Sequence, residues 1–387
     1  MPLHRVSARR RSHRVGLAVT AVLAAAATTV MSVPAAADLV PAAGSASNSQ
    51  YVGEDVLPTG LMFRGTEVGG LSGLSYDAAR NVYYAISDDR STIDPARFYT
   101  LRIGLSDGSL DDGDVSVVDV TRLRDPRGRL FPPGSLDPES IALTPSRTLV
   151  ITSEGDASQL IDPFVREFSL RGRQLSDAPV PSYYDPAADG TSGVRTNLGF
   201  ESGGFTPDGT FFFTGTENAL AQDGPTATLT TTSPARILRY DHSGRPDREF
   251  VYVVETVPDP PVPADAFATN GLVELLPLTP TRLLAMERAF SSGVGNDVRI
   301  YLVDTAGATN TLGVRALPAD LTGVQVVQKT LVLDLSALGV TADNLEGLSF
   351  GPVLPDGGQS LLVVSDNNFA TTQVTQFLAF RCDLPVG

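Results

Sequence analysis

Three stretches of this 387-residue chain repeat one pattern: a glutamate, an apolar run, a proline six residues on, a turn, and a second apolar run closing on an acid. They are PESIALTPSRTLVITSEGD (138–156), FESGGFTPDGTFFFTGTEN (200–218) and NLEGLSFGPVLPDGGQSLLVVSDNNF (344–369). Glu139 precedes Pro145, Glu201 precedes Pro207 and Glu346 precedes Pro352, and the closing acids are Glu154, Glu217 and Asp366. Two further copies lack the first glutamate. In one, Ser72 takes its place and Asp88 closes; in the other, Gly271 takes its place and Glu287 closes. A further strand follows each closing acid after a variable loop, usually opened by arginine (Arg97, Arg166, Arg236, Arg299) and carrying Gln376 in the last copy.

The apolar runs are short, rich in Val, Ile, Leu, Phe and Tyr, and bounded by Gly, Pro, Asp and Asn, as in NVYYAIS, TLVITS and SLLVVS. Such runs are β-strands, and long helical periodicity is hard to find. A supersecondary unit made only of strands and repeated along the chain points to an all-β fold, a β-propeller. The closing acids recur 63 to 79 residues apart, longer than the ~40–50 residues of familiar propeller repeats. Six blades are therefore expected, with five as the alternative if the excess is loop. Inserts suited to loops are PTATLTTTSP (225–234), VPDPPVPADAF (257–267) and SYYDPAADGTSG (182–193). A strand at Leu61–Phe63 is expected to complete the last blade.

Residues 1–37 carry five arginines, then an apolar run from Val15 to Val30, then Pro-Ala-Ala-Ala before Asp38. This reads as an export signal with a small-residue cleavage site. Its apolar core is short of the ~20 residues needed to span a bilayer. Residues 38–50 read as a loose tether and 51–387 as one domain, so a secreted protein is expected, with no membrane attachment once the signal is cleaved. Removing the signal leaves 24 basic against 44 acidic side chains, a formal charge of −20. That disfavours nucleic acid and anionic lipid as partners. A monomer is expected. Cys382 is the one cysteine, which excludes an internal disulfide. With His4 and His13 in the signal, His242 alone remains, in a turn sequence, so a histidine metal cluster is excluded. Lys329 is the single lysine, and any group that grips an anion is almost certain to be a guanidinium.

In a propeller, corresponding positions come round one axis, so the repeated acids form a ring at one end of the channel. Clustered carboxylates repel unless a cation or protons compensate them. Oxygen-only donors suit a hard cation, calcium or magnesium. Arg90, Arg97, Arg166, Arg236, Arg288 and Arg299 allow two readings: pairs that staple blades, or an anion-binding set above the channel. Two local motifs carry no chemistry. GLSFG (347–351) has the spacing of a nucleophile elbow, but Ser349 lies inside a strand pattern. SDGSLDDGD (106–114) misses the glycine of a calcium loop and reads as a hairpin turn.

The elements GLSGLSYD with YYAISDD, DPESIAL with SEG, GFESGGFTPDG, and NLEGLSFGP with LLVVSDNNF resemble the phytase-like domain family, also described as esterase-like activity of phytase. The resemblance runs from about residue 52 to about 382. It implies an architecture similar to the calcium-dependent β-propeller phytases, whose channel carboxylates hold calcium. On that basis Glu139, Glu154, Glu201, Glu217, Glu346 and Asp366 are the candidate metal ligands, with Asp88 and Glu287 next. Glu346 or Glu217 would accept a proton, and Arg288 or Arg90 would hold the ester oxygens of an anionic small-molecule substrate. The D-A-D-D-P-A signature of true propeller phytases is absent and lysine is nearly so, which argues against phytate itself. The expected function is a secreted, metal-dependent phosphoesterase-like hydrolase. The alternatives are a non-catalytic binding propeller and a calcium-dependent esterase or lactonase.

Overall fold

The computed structural model describes residues 49–383, in which five four-stranded antiparallel sheets form the blades. The first runs through β4 (Leu71–Asp77), β5 (Val82–Ser87), β6 (Arg97–Ile103) and β7 (Val115–Arg122). The second comprises β8 (Pro138–Leu143), β9 (Thr148–Ser153), β10 (Phe164–Ser169) and β11 (Gln174–Ala178). The third holds β12 (Gly204–Phe205), β13 (Phe212–Gly215), β14 (Ser233–Tyr240) and β15 (Pro246–Val254). The fourth has β16 (Ala268–Pro277), β17 (Arg282–Ser291), β18 (Gly295–Asp304) and β19 (Gln328–Asp334). The fifth joins β20 (Leu345–Val353), β21 (Gln359–Ser365) and β22 (Thr375–Cys382) to β1 (Gln50–Leu57) at its outer edge. The first strands of the blades touch in sequence, β4 to β8 to β12 to β16 to β20 and back to β4, and line the axis.

The ring thus has five blades, the alternative count; the preferred six does not occur among the described residues. The surplus length of the repeat lies in connections such as 179–203, 255–267 and 305–327. The ring is closed by β1 pairing with β22, from Gln50↔Arg381 to Leu57↔Thr375. The strand expected at 61–63 is instead half of a small separate hairpin, β2 (Met62–Phe63) with β3 (Thr66–Glu67). The export signal and the tether as far as residue 48 lie outside the described residues. Among those described, no helix is long and apolar enough to cross a membrane.

Five apolar clusters fill the five blade-to-blade interfaces. Leu74, Tyr83 and Leu101 meet Leu362, Val364 and Phe377; Tyr84 and Phe98 meet Ile141, Ile151 and Phe168. Val165 and Tyr184 meet Phe200 and Tyr240, Phe213 and Tyr252 meet Leu283 and Val303, and Leu284 and Ile300 meet Leu361 and Phe380. The middle strands are covered on both faces, which is why they read as unbroken apolar runs. The outer strand β7 is less covered, with Ser116, Asp119 and Arg122 exposed, because its outer edge meets water.

Four of the strand-opening arginines pair within their own blade. Arg236 is fully buried, donates from Nε and Nη2 to Asp223 (2.6 and 2.9 Å) and from Nη1 to Glu249 (2.5 Å). Arg97 is also fully buried, against Asp89 at 2.7 Å. Arg166–Asp177 and Arg299–Asp297 lie nearer the surface. Removing Arg236 strands two buried carboxylates. Arg236→Ala should therefore lose roughly 3–5 kcal/mol in urea unfolding, whereas Arg166→Ala should lose under about 1 kcal/mol. Equal losses would refute this ranking.

Candidate metal and anion site

Strand register defines three positions per blade around the axis. Leu71 pairs with Ser87, Pro138 with Ser153, Leu272 with Glu287 and Leu345 with Ser365, and Phe200 bridges to Thr216. One residue beyond each lie Ser72, Glu139, Glu201, Val273 and Glu346. In four blades the register slips there, as between Leu345 and Gly347. A bulged residue is released from the ladder and its side chain is re-aimed; in this ring it carries Glu139 and Glu346 to the cavity wall. On the partner strand the next residues are Asp88, Glu154, Glu217, Arg288 and Asp366. Facing them are Gly70, Asp137, Gly199, Gly271 and Asn344, whose carbonyls accept from the Asp88, Glu154, Glu217 and Asp366 amides in the four acid-bearing blades (2.8–3.1 Å). Glycine at two of these positions is a matter of space. A Cβ on Gly271 would lie 2.1 Å from Glu217 Oε1, and one on Gly70 2.0 Å from Asp88 Oδ1.

The positions converge on a cavity of about 620 Å³ lined by Asp88, Asp137, Glu139, Glu154, Glu201, Glu217, Asp343, Glu346 and Asp366, with Arg90 and Arg288. Arg288 Nη2 donates to Glu346 at 2.9 Å and lies 4.0 Å from Glu217, bridging the third and fifth blades. Arg90 pairs with Asp137 of the next blade at 2.5 Å and donates to Asn197 at 2.7 Å. These two cross blades and, alone among the arginines of the described residues, line the cavity. Carboxylate oxygens of Asp137, Glu139 and Glu154 fall within 4.8 Å of one another, as do those of Glu154, Glu201 and Glu217. Glu154 belongs to both triads.

A family model decides the affiliation: the phytase-like model, "Esterase-like activity of phytase", matches residues 66–369. The chain belongs to the phytase-like family. No curated protein matches it. Among solved structures, the tail fibre of Staphylococcus aureus phage P68 is 10% identical at a TM-score of 0.39, covering 87% of this chain and 53% of its own, so this chain spans about half of that one. The Dos1 propeller is 8% identical at 0.34, over 84% of this chain and 69% of that. The Pseudomonas aeruginosa periplasmic gluconolactonase is 12% identical at 0.35, over 84% and 91%.

In this phytase-like domain nine acids share two guanidinium groups, and the protonation of the ring acids follows. Burial, then repulsion from Glu346 and Asp137, pushes Asp88 up to about 8. Burial, then Glu154, pushes Asp137 up to about 8 even beside Arg90. Burial raises Glu217 to about 7, with Arg288 opposing. Glu139, Glu201 and Asp366 rise well above the usual carboxylate range through burial first and then the charge of neighbouring carboxylates, Asp137 and Glu154 for Glu139, Glu154 and Glu139 for Glu201, Asp88 and Glu346 for Asp366. The donor set fits a hard divalent cation: triads of carboxylate oxygens, held apart from bulk water, with no histidine or cysteine lining the cavity.

Seven of the eight candidate ligands line this cavity. Glu287 does not. Register places it one residue before the ring position, on the other face of β17. There it accepts from Tyr252 Oη (2.7 Å) and Asn270 Nδ2 (2.9 Å) and pairs with Lys329 (2.6 Å). Arg288 stands where the closing acid was expected, and Val273, rather than Gly271, stands where the first glutamate would be. Asp137 and Asn344 escaped the sequence reading because their position is glycine in the other three blades. Glu274 escaped it too: buried and outside the cavity wall, it accepts from Gly203 N at 3.0 Å and Leu275 N at 2.8 Å, and burial pushes it well up. His242 lies in an exposed turn. Ser349 sits within β20 opposite Leu362, its hydroxyl donating to Phe350 O at 3.0 Å.

Raised carboxylate values give the sign of the pH response. Stability from these groups is full below their unfolded values near 4 and is lost as pH rises through the folded values of about 7–8. In EDTA the melting temperature should fall between pH 5 and pH 8 by roughly 5 °C or more. Added calcium should raise it more at pH 8 than at pH 5. A flat profile in EDTA would contradict the crowding.

Proposed function

We propose that the chain is a secreted, metal-dependent phosphoesterase-like hydrolase acting on a small anionic ester in the axial cavity. The observation that carries this is the pair of carboxylate triads sharing Glu154, set against two inward-facing arginines. Membership of the phytase-like family supports it, and the signal-like residues 1–37 support export. The strongly acidic domain favours neither nucleic acid nor anionic lipid as partner.

Asp137, Glu139 and Glu154 would hold a calcium ion, and Glu201 with Glu217 would complete a second nest through Glu154. Bound there, the ion would supply Lewis-acid polarisation of the phosphoryl oxygen and acidify a neighbouring water. Arg288, side chain 13% exposed, and Arg90 hold non-bridging ester oxygens by charge-assisted hydrogen bonds. Glu346 is committed to Arg288 and to Asn344 Nδ2 at 2.9 Å. Glu217, 4.0 Å from Arg288, is freer to take the proton of the attacking water. Water adds to phosphorus as Glu217 takes its proton, the P–O ester bond breaks, and the leaving alkoxide takes that proton back from Glu217 to give the alcohol and inorganic phosphate.

Phosphate release from simple phosphomonoesters by residues 38–387 should require calcium and stop in EDTA. Glu217→Gln should lower turnover by about 10²-fold or more with unchanged circular dichroism. Release that survives EDTA, or full activity in the variant, would sink the assignment. Activity confined to carboxylic esters or lactones would move the same site to carbonyl chemistry.

A further inference from the structure

The wall of the cavity is not acidic all round. On the fourth blade β16 and β17 are each ten residues long, and they continue past the ring of acids. Arg288 and Phe290 are alternate residues of β17 and share a face, about 7 Å apart along the strand. Arg288 pairs with Gly271 and Phe290 with Thr269, and Thr269, Phe290 and Phe267 line the same cavity as the acids. Phe267 packs against Phe290, ring centroids 6.2 Å apart.

This apolar lip is anchored by the insert 257–267. Val262 N donates to Ser292 O at 2.8 Å, Ser292 N to Phe267 O at 2.9 Å, and Ser291 Oγ to Asp259 O at 2.6 Å. The insert is thereby tied to the β17–β18 turn. Phe267, which lines the cavity, is 65% exposed, and Val262 and Val294 of the same insert and turn are 66% and 52% exposed. An exposed aromatic ring lining a cavity beside its charged groups, backed by the half-buried Phe290, is the usual sign of a ligand's apolar part.

We propose that the substrate is amphiphilic: a monoester whose anionic head seats at Arg288 and the carboxylate triads, and whose alkyl or aryl body lies along Phe290 and Phe267. The inference rests on the hydrolase reading and names its substrate class. A body with charge at every position, such as an inositol polyphosphate, gains nothing from this wall.

The test uses ethyl, butyl and hexyl phosphate, which differ in apolar length at constant charge and similar leaving-group chemistry. Binding to the calcium-loaded protein is followed by calorimetry and turnover by phosphate release. Affinity and kcat/KM should each rise about 2–4-fold per methylene covered. Phe267→Ser should reduce the hexyl-to-ethyl ratio by about 5-fold or more. Turnover that ignores chain length, or a ratio unchanged in the variant, overturns the inference and leaves the hydrolase standing. Affinity that rises with length without phosphate release keeps the amphiphilic ligand and removes the hydrolase. Absence of both binding and release overturns both.

Discussion

Nine carboxyl groups share one cavity with two guanidinium groups, and their mutual repulsion is the constraint to which the rest of the architecture answers. Repulsion of this kind opposes folding unless protons or cations relieve it. The opposing contribution is the apolar packing between blades, where middle strands buried on both faces fill five interfaces. Pairing of β1 with β22 ties the first described strand to the last within the fifth blade, so the ring cannot open there without breaking that ladder. A site that could not otherwise persist is held by a frame with few ways to yield.

The bulges link frame to site. In four of the five blades the inner strand slips by a residue at the same place, so a side chain that would lie in the ladder is turned to the axis. The slip also leaves backbone donors to satisfy at the centre. Glu274 takes one from the third blade and one from its own, while Ser72 Oγ donates to Glu139 O at 2.8 Å across the first interface. These polar ties lie out of reach of the cavity's chemistry, yet they set where its walls stand.

Five-fold repetition would make a symmetric ring, and the fourth blade breaks it. Val273 and Arg288 stand where other blades carry acids, and the same blade with the insert before it brings Phe290 and Phe267 to the cavity wall. Charge and polarity therefore run across the cavity, from the triads of the second and third blades to a guanidinium and an apolar lip on the fourth. A cavity with such a gradient orients a ligand that has two unlike ends, which a uniform ring of carboxylates cannot do.

Strand content, repetition, the scarcity of cations and most of the ring were legible in the sequence. Glu139, Glu154, Glu201, Glu217 and Glu346 stand out because their spacing from proline and from the apolar runs survives in three blades. The sequence by itself determined an all-β repeat that must gather acids around an axis, since equivalent positions in a closed repeat are equidistant from it. Only the tertiary structure decided the blade count, because a long loop and an extra sheet use similar lengths of chain. It alone decided that Arg288 and not Glu287 faces the cavity, because strands have a period of two and a shift of one residue reverses every side chain. That shift comes from pairing between strands, which no single stretch of sequence records.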